Sequence, residues 1–195
     1  MFLVRKEYLN QVEFGVEVKR KHISTLLIAG SIVTIAPAAH AADGLIDFVG
    51  SLTAATCKIN GGTGQNFTVN LPPVSTSALA TAGSWAGRQP FSIKLSECAP
   101  DTGTVSAYLE PGPTVNSKTG RLQVDSGGAK NVEIGLLNSK FEHIAAGAAL
   151  GSQNVDKVSI DSGSATLDFY AQYESLGSAT AGAAKSRVNY TIVYQ

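Results

Sequence analysis

Charge is scarce in this chain. Of 195 residues, 15% are Asp, Glu, Lys or Arg, and the two signs balance at 15 each. No basic excess is available to neutralise a phosphate backbone, so a nucleic-acid partner is not expected. No acidic block forms a solvating tail. The chain has 3 histidines, 2 cysteines, 1 methionine and 1 tryptophan. Two cysteines without histidine at ligand spacing exclude a zinc site. What is plentiful is small and apolar. Hydrophobic residues reach 44% and glycine numbers 20, enough to fill a core and to supply many turns.

Catalytic and cofactor patterns are missing as well. Gly61-Gly62-Thr63-Gly64 lacks the lysine of a phosphate-binding loop. Gly83-Ser84-Trp85-Ala86-Gly87 carries its serine one place too early for a nucleophile elbow. The acidic residues are scattered, without the pair that glycoside hydrolysis needs. His143, in Phe141-Glu142-His143-Ile144, has no nucleophile or orienting acid at a recognisable spacing. The chain is therefore expected not to be an enzyme and to hold no cofactor or metal. Trp85 is expected as a core or partly buried packing residue.

The N-terminus reads as an export signal. Lys19-Arg20-Lys21-His22 is a compact positive block, followed by an apolar run from Ile23 to Ala39. The run contains Ser24, Thr25, Ser31, Thr34 and Pro37, and it is barely long enough to span a bilayer. It closes on Ala39-His40-Ala41, a small-x-small pattern that places cleavage between Ala41 and Ala42. Residues 1–41 are thus read as a signal peptide. Residues 1–18 carry Glu7, Glu13 and Glu17 ahead of the basic block, which such a signal does not need. Translation is expected to start inside this stretch, at Val16 or Val18. Residues 1–41 remove five of the 15 basic and three of the 15 acidic residues, leaving ten and twelve and a net charge of −2.

Cys57 and Cys98 both fall in the mature part. In an exported chain two cysteines most simply form one disulfide, the alternative being two buried thiols. Closing the loop between them is worth roughly 4 kcal/mol through the unfolded state.

Period-two alternation recurs along residues 42–195. Ile46, Phe48, Gly50 and Leu52 share one face, as do Phe67, Val69 and Leu71; Phe91, Ile93 and Leu95; and Val105, Ala107 and Leu109. Val132, Ile134 and Leu136 follow, then Leu167, Phe169, Ala171 and Tyr173, and finally Val188, Tyr190, Ile192 and Tyr194. Turn clusters separate these runs: Asn60-Gly61-Gly62, Pro111-Gly112-Pro113, Asp125-Ser126-Gly127-Gly128, Asp161-Ser162-Gly163 and Ala181-Gly182. About seven short strands predict an antiparallel sandwich. Residues 75–82 read as a loop or a single helical turn. Residues 144–150 are Ala-rich, but Gly147 and Gly151 make them a poor helix.

The two ends of the mature chain pose matching problems. With Gln195 as the last residue, no hairpin follows to cover the apolar strand 188–194, and an uncovered edge invites aggregation. The run at 42–53 alternates equally well but begins at a free N-terminus. A detachable strand and an unpaired edge can meet between different molecules, and such a contact does not close on itself.

These residues resemble the subunits of chaperone–usher fimbriae, the type 1 and P-type pilins. The likeness lies in Gly44-x-Ile46-x-Phe48-x-Gly50-x-Leu52 with Cys57 seven residues beyond Gly50, and in Phe91-x-Ile93-x-Leu95-x-x-Cys98. It extends to Phe169-Tyr170-Ala171-Gln172-Tyr173, to a penultimate tyrosine, Tyr194, and to Gly182, fourteenth from the end. The resemblance implies an all-β, incomplete immunoglobulin-like sandwich lacking its last strand and completed by donor-strand exchange. It implies an arm at 42–53 and a sandwich domain at 54–195. Ile46, Phe48 and Leu52 would be the donated side chains, and Gly50 would pass where the groove leaves no room for a Cβ. Gly182, Val188, Tyr190, Ile192 and Tyr194 would belong to the acceptor groove and C-terminal strand. Implied partners are other pilin subunits in a homo- or hetero-polymer, a periplasmic chaperone and an outer-membrane usher. The implied role is structural, in a fimbrium that is exported through the periplasm to the cell surface and supports adhesion. The other reading of the same residues is a monomeric secreted β-sandwich that binds carbohydrate or another surface ligand.

N-terminal sequencing of the exported protein should begin at Ala42; a mature chain that retains the block at Lys19–Lys21 would contradict the cleavage assignment.

Overall fold

The computed structural model describes residues 45–50, 52, 54–60 and 65–195. The signal peptide, the cleavage pair Ala41 and Ala42, Gly44 and the Gly61–Gly62 turn lie outside the described residues. The chain divides into residues Met1–Phe48 and Val49–Gln195. Of the first part, residues 45–48 have no regular structure, and Leu45, Ile46 and Phe48 are exposed.

The second part is built of strands: β1 Thr56–Ile59, β2 Trp85–Ala99, β3 Gly103–Leu109, β4 Leu122–Gln123, β5 Val132–Leu137, β6 Val158–Ile160, β7 Ala165–Ser175 and β8 Tyr190–Tyr194. One sheet runs in the order β1-β2-β7-β5-β4 and the other in the order β6-β3-β8, every pair antiparallel. The alternation read in the sequence sets which face of each strand is buried. Phe91 pairs with Phe169, Ile93 with Leu167 and Leu95 with Ala165, so one side of the β2–β7 ladder is wholly apolar. On β5, Ile134 and Leu136 join the same side. From the second sheet, Val105, Ala107 and Leu109 of β3 complete the core. Burying these two faces against each other is the main stabilising term.

Turn chemistry fits the predicted positions. Between β6 and β7, Ser162 and Gly163 both adopt positive φ, and Asp161 and Ser164 exchange main-chain hydrogen bonds of 2.9 Å. This is the two-residue turn whose twist matches that of the flanking strands. Residues 76–79 form one 3₁₀ turn, capped by Ser75, whose side chain accepts from the Ser77 N–H at 3.3 Å. The Ala-rich stretch after residue 143 forms no helix. Ile144 instead plugs the core, fully buried, with its N–H donating to the Leu136 carbonyl at 2.8 Å.

β2 carries an irregularity between Ala86 and Gln89. Gly87 sits there at φ 67, and a Cβ on it would come within 3.1 Å of the Tyr173 ring. A glycine bulge is the low-cost solution at that point. β2 also tolerates Pro90, because β1 covers only its far end, Leu95–Ala99, and Pro90 therefore has β7 alone as a ladder neighbour.

One predicted run is not a strand. Residues 65–71 join no ladder, although Phe67, Val69 and Leu71 alternate as expected. The apolar period is present; the strand that would pair with it is not.

Leu167→Ala in β7, at a position 1% exposed, should lower the unfolding free energy by about 2–5 kcal/mol in a denaturant titration. Thr166→Ala on the opposite, exposed face should change it by less than about 0.5 kcal/mol.

Candidate functional site: an open groove along the last strand

β8 closes the smaller sheet on one side only. It pairs with β3 through Val105–Tyr194, Ala107–Ile192 and Leu109–Tyr190, and no described strand lies on its other side. Because Val105, Ala107 and Leu109 face the core, Tyr190, Ile192 and Tyr194 face it too. β8 is clamped at both ends. Gln195 and Thr104 exchange main-chain bonds of 2.8 and 3.1 Å, and the Glu110 N–H donates to the Asn189 carbonyl at 2.9 Å.

Beside this free edge runs a groove of about 950 Å³. One wall is residues 186–194. Opposite it stand two more, a first wall of residues 55–59 and a second wall of residues 65–71. The floor is the inner face of the larger sheet, including Phe91, Ile93, Ile134, Leu136 and Phe169. Ile93, Ile134, Leu136 and Phe169 belong to the main core cluster and Phe91 packs against it, so the groove is a slot where one layer of that core is missing.

The walls touch at two places. The Cys57 N–H donates to the Tyr194 hydroxyl at 3.0 Å. The Tyr190 hydroxyl donates to the Gln65 carbonyl at 2.6 Å. Around the second contact, the Phe67 ring lies 6.2 Å from both Phe91 and Tyr190 by ring centroids, and Phe91 stacks on Phe169 at 5.3 Å. Cys57 and Cys98 form a disulfide that pins β1 to the end of β2, which fixes the first wall to the floor.

The structure thus gathers Cys57, Val188, Tyr190, Ile192 and Tyr194 around one slot. Val188 lines it without belonging to β8, which begins at Tyr190. Gly182 lines a cavity of about 360 Å³ that shares Leu71 with the groove and is bounded also by Val74, Val132 and Tyr173. A Cβ on Gly182 would come within 2.7 Å of the Ala129 nitrogen, so glycine is required there for two backbones to pass closely. The second wall at 65–71 was missed as part of the site. Its signal was the alternation of Phe67, Val69 and Leu71. Ile46, Phe48 and Leu52 take no strand conformation, and their exposures are 76%, 91% and 104%.

The other singled-out residues lie elsewhere. His143 Nε2 is 2.8 Å from the Thr119 carbonyl, while its Nδ1 is buried without a hydrogen-bond partner. Trp85 pairs with Glu174 in register and is 53% exposed, with the Arg88 guanidinium 4.1 Å from its ring centroid. Of the core and partly buried positions expected, it takes neither fully: its register places it on the outer face of the sheet, under the Arg88 guanidinium.

Comparison with known proteins places these features. The family model described as FimA, type-1 fimbrial protein, A, matches residues 71–195. The major fimbrial subunit SMF-1 of Stenotrophomonas maltophilia (strain K279a) is 47% identical over 163 residues, covering 80% of this chain and 95% of that protein. The F17 fimbrial protein of Escherichia coli is 42% identical over 159 residues, 78% of this chain and 88% of that one. Among solved structures, the P pilus rod subunit PapA has a TM-score of 0.55 at 21% identity, covering 71% of this chain and 99% of that one, a likeness of fold.

Burial pushes the phenols of Tyr190 and Tyr173 above their ordinary value of 10.0. The stability that this contributes is complete below about pH 10 and is lost as pH rises through the raised value. An ionised Tyr190 also cannot donate to Gln65. Unfolding midpoints measured across the alkaline range should therefore fall beyond about pH 10, and Tyr190→Phe should reduce the fall.

Proposed function

Because the chain belongs to the type-1 fimbrial protein family, the structural subunits of surface fimbriae, we propose that it polymerises by donating residues 42–53 as a strand to the groove of a neighbouring subunit. It is a structural subunit, not an enzyme, and it assembles with other pilin subunits into a surface fimbrium.

The observation that carries the reading is the one-sided β8 above an apolar slot. An open edge presents unpaired N–H and C=O groups, and a strand added there gains a main-chain ladder while its alternate side chains fill pockets. Strand donation between pilins is an established instance of that mode. Ile46, Phe48 and Leu52 are the donated side chains, which with Gly50 occupy every second position as a strand laid over a core requires. Burying the three is worth about 5–9 kcal/mol before ordering costs. Gly50 supplies the one inward position without a side chain.

The unpaired run at 65–71 supports the same reading. It has a strand's alternation and no ladder partner among the described residues. A strand inserted between β8 and residues 65–71 would have unpaired main chain on both sides. The disulfide Cys57–Cys98 keeps the first wall in place to receive it.

Before assembly the same slot needs a temporary occupant. A periplasmic chaperone lending a strand, followed by hand-over at an outer-membrane usher, meets that need. Export through the periplasm after cleavage between Ala41 and Ala42 would deliver the subunit there.

A variant lacking residues 42–53, co-produced with the chaperone, should give a stable one-to-one complex that does not polymerise. Adding a synthetic peptide of residues 42–53 should displace the chaperone and raise the unfolding midpoint. Polymerisation of the deletion variant at the wild-type rate would overturn the reading.

A further inference from the structure

The slot is bridged where a strand has to lie. We propose that Tyr190 and Phe67 form a latch across the groove, which covers part of the apolar floor in the empty subunit and must part before a donated strand can seat. This rests on the strand-donation reading above and adds to it the residues that set the rate of insertion.

The argument starts from strand spacing. Neighbouring strands lie about 4.8 Å apart, so walls that bracket one missing strand are separated by roughly twice that. Tyr190 faces the core from β8, and its phenol crosses this width to bond the Gln65 carbonyl on the opposite wall at 2.6 Å. The ring therefore lies beneath the gap, where inward side chains of an added strand would go. Phe67 approaches from the other wall. Its ring is 6.2 Å from Tyr190 and 6.2 Å from Phe91, so the two aromatics meet above the floor pair Phe91 and Phe169.

The latch is weakly built, as a removable closure should be. The segment that carries Gln65 and Phe67 belongs to no ladder, so little main-chain bonding resists its displacement. Phe67 is 41% exposed, far more than the floor residues it shields. The tie at Tyr194 differs, because its partner Cys57 lies within β1 and is disulfide-bonded to Cys98. One bridge is thus anchored and the other is free to swing.

The test measures the rate at which a fluorescent peptide of residues 42–53 inserts into the full mature chain. Variants are Tyr190→Phe, which removes only the hydroxyl, and Phe67→Ala, which removes the opposing ring. Tyr190→Phe should insert roughly 3–10-fold faster, the effect of losing one intramolecular hydrogen bond that the seated state does not keep. Phe67→Ala should also be faster, and its empty form should bind more of a dye that reports exposed apolar surface. Should Phe67→Ala fail to fold, Tyr190→Phe decides alone. An unchanged or slower rate in Tyr190→Phe, with the peptide still seating, overturns the latch and leaves strand donation standing; that is the result expected if the bond survives beneath Gly50. Failure of the peptide to insert into the wild-type chain at any concentration overturns strand donation and the latch with it.

Discussion

A strand held on one edge governs this molecule. β8 is welded to β3 by register pairs from Val105 to Leu109, and its other edge faces a slot floored by the main core. The sandwich is otherwise well satisfied: β2, β7 and β5 interlock along most of their lengths, and their inner faces are dry. The defect is local, one strand wide, and leaves the outer edge of β8 open beside the half-buried Phe91, Tyr190 and Ile192. Covering such a gap removes two costs at once, unpaired backbone and wetted apolar surface. That combination is why a strand, rather than a small ligand or a helix, fits the site.

The gap keeps its shape because its walls are tied from outside the missing ladder. The disulfide joins β1 to the end of β2, and the Tyr194 hydroxyl receives the Cys57 N–H from 137 residues away. The second wall, residues 65–71, has no such anchor and leans on aromatic contacts and the Tyr190 phenol. A fibre subunit needs both properties. Under the proposed strand donation, the floor has to stay formed so that an incoming strand finds its pockets, and one wall has to yield so that the strand can arrive.

Legibility in the sequence followed burial. The runs at 91–95, 105–109, 132–136 and 167–173 were readable because each strand has one dry face, and period-two alternation records that directly. The run at 67–71 has the same signature yet forms no strand, since alternation reports which side chains turn inward and not whether a ladder partner exists. Gly182 was assigned to the groove by its place in a terminal motif; the structure adds the close passage of its backbone past Ala129. Trp85 was expected in the core or partly buried because large aromatics usually are; register with Glu174 turns it outward, where Arg88 covers its face. The monomeric alternative was open on alternation alone and gives way to the fimbrial family match.

The amino-acid order alone settled the strand-and-turn composition, the single cysteine pair and the two apolar runs at opposite ends, since these depend on local periodicity and on counting. Tertiary structure decided what no local pattern encodes: that among the described strands the last has a neighbour on one side only, that residues 65–71 stand across the gap from it, and that two tyrosines reach over. Those facts arise from contacts between distant segments, 125 and 137 residues apart for the two tyrosine ties, and their spacing in the chain leaves no trace of their distance in space.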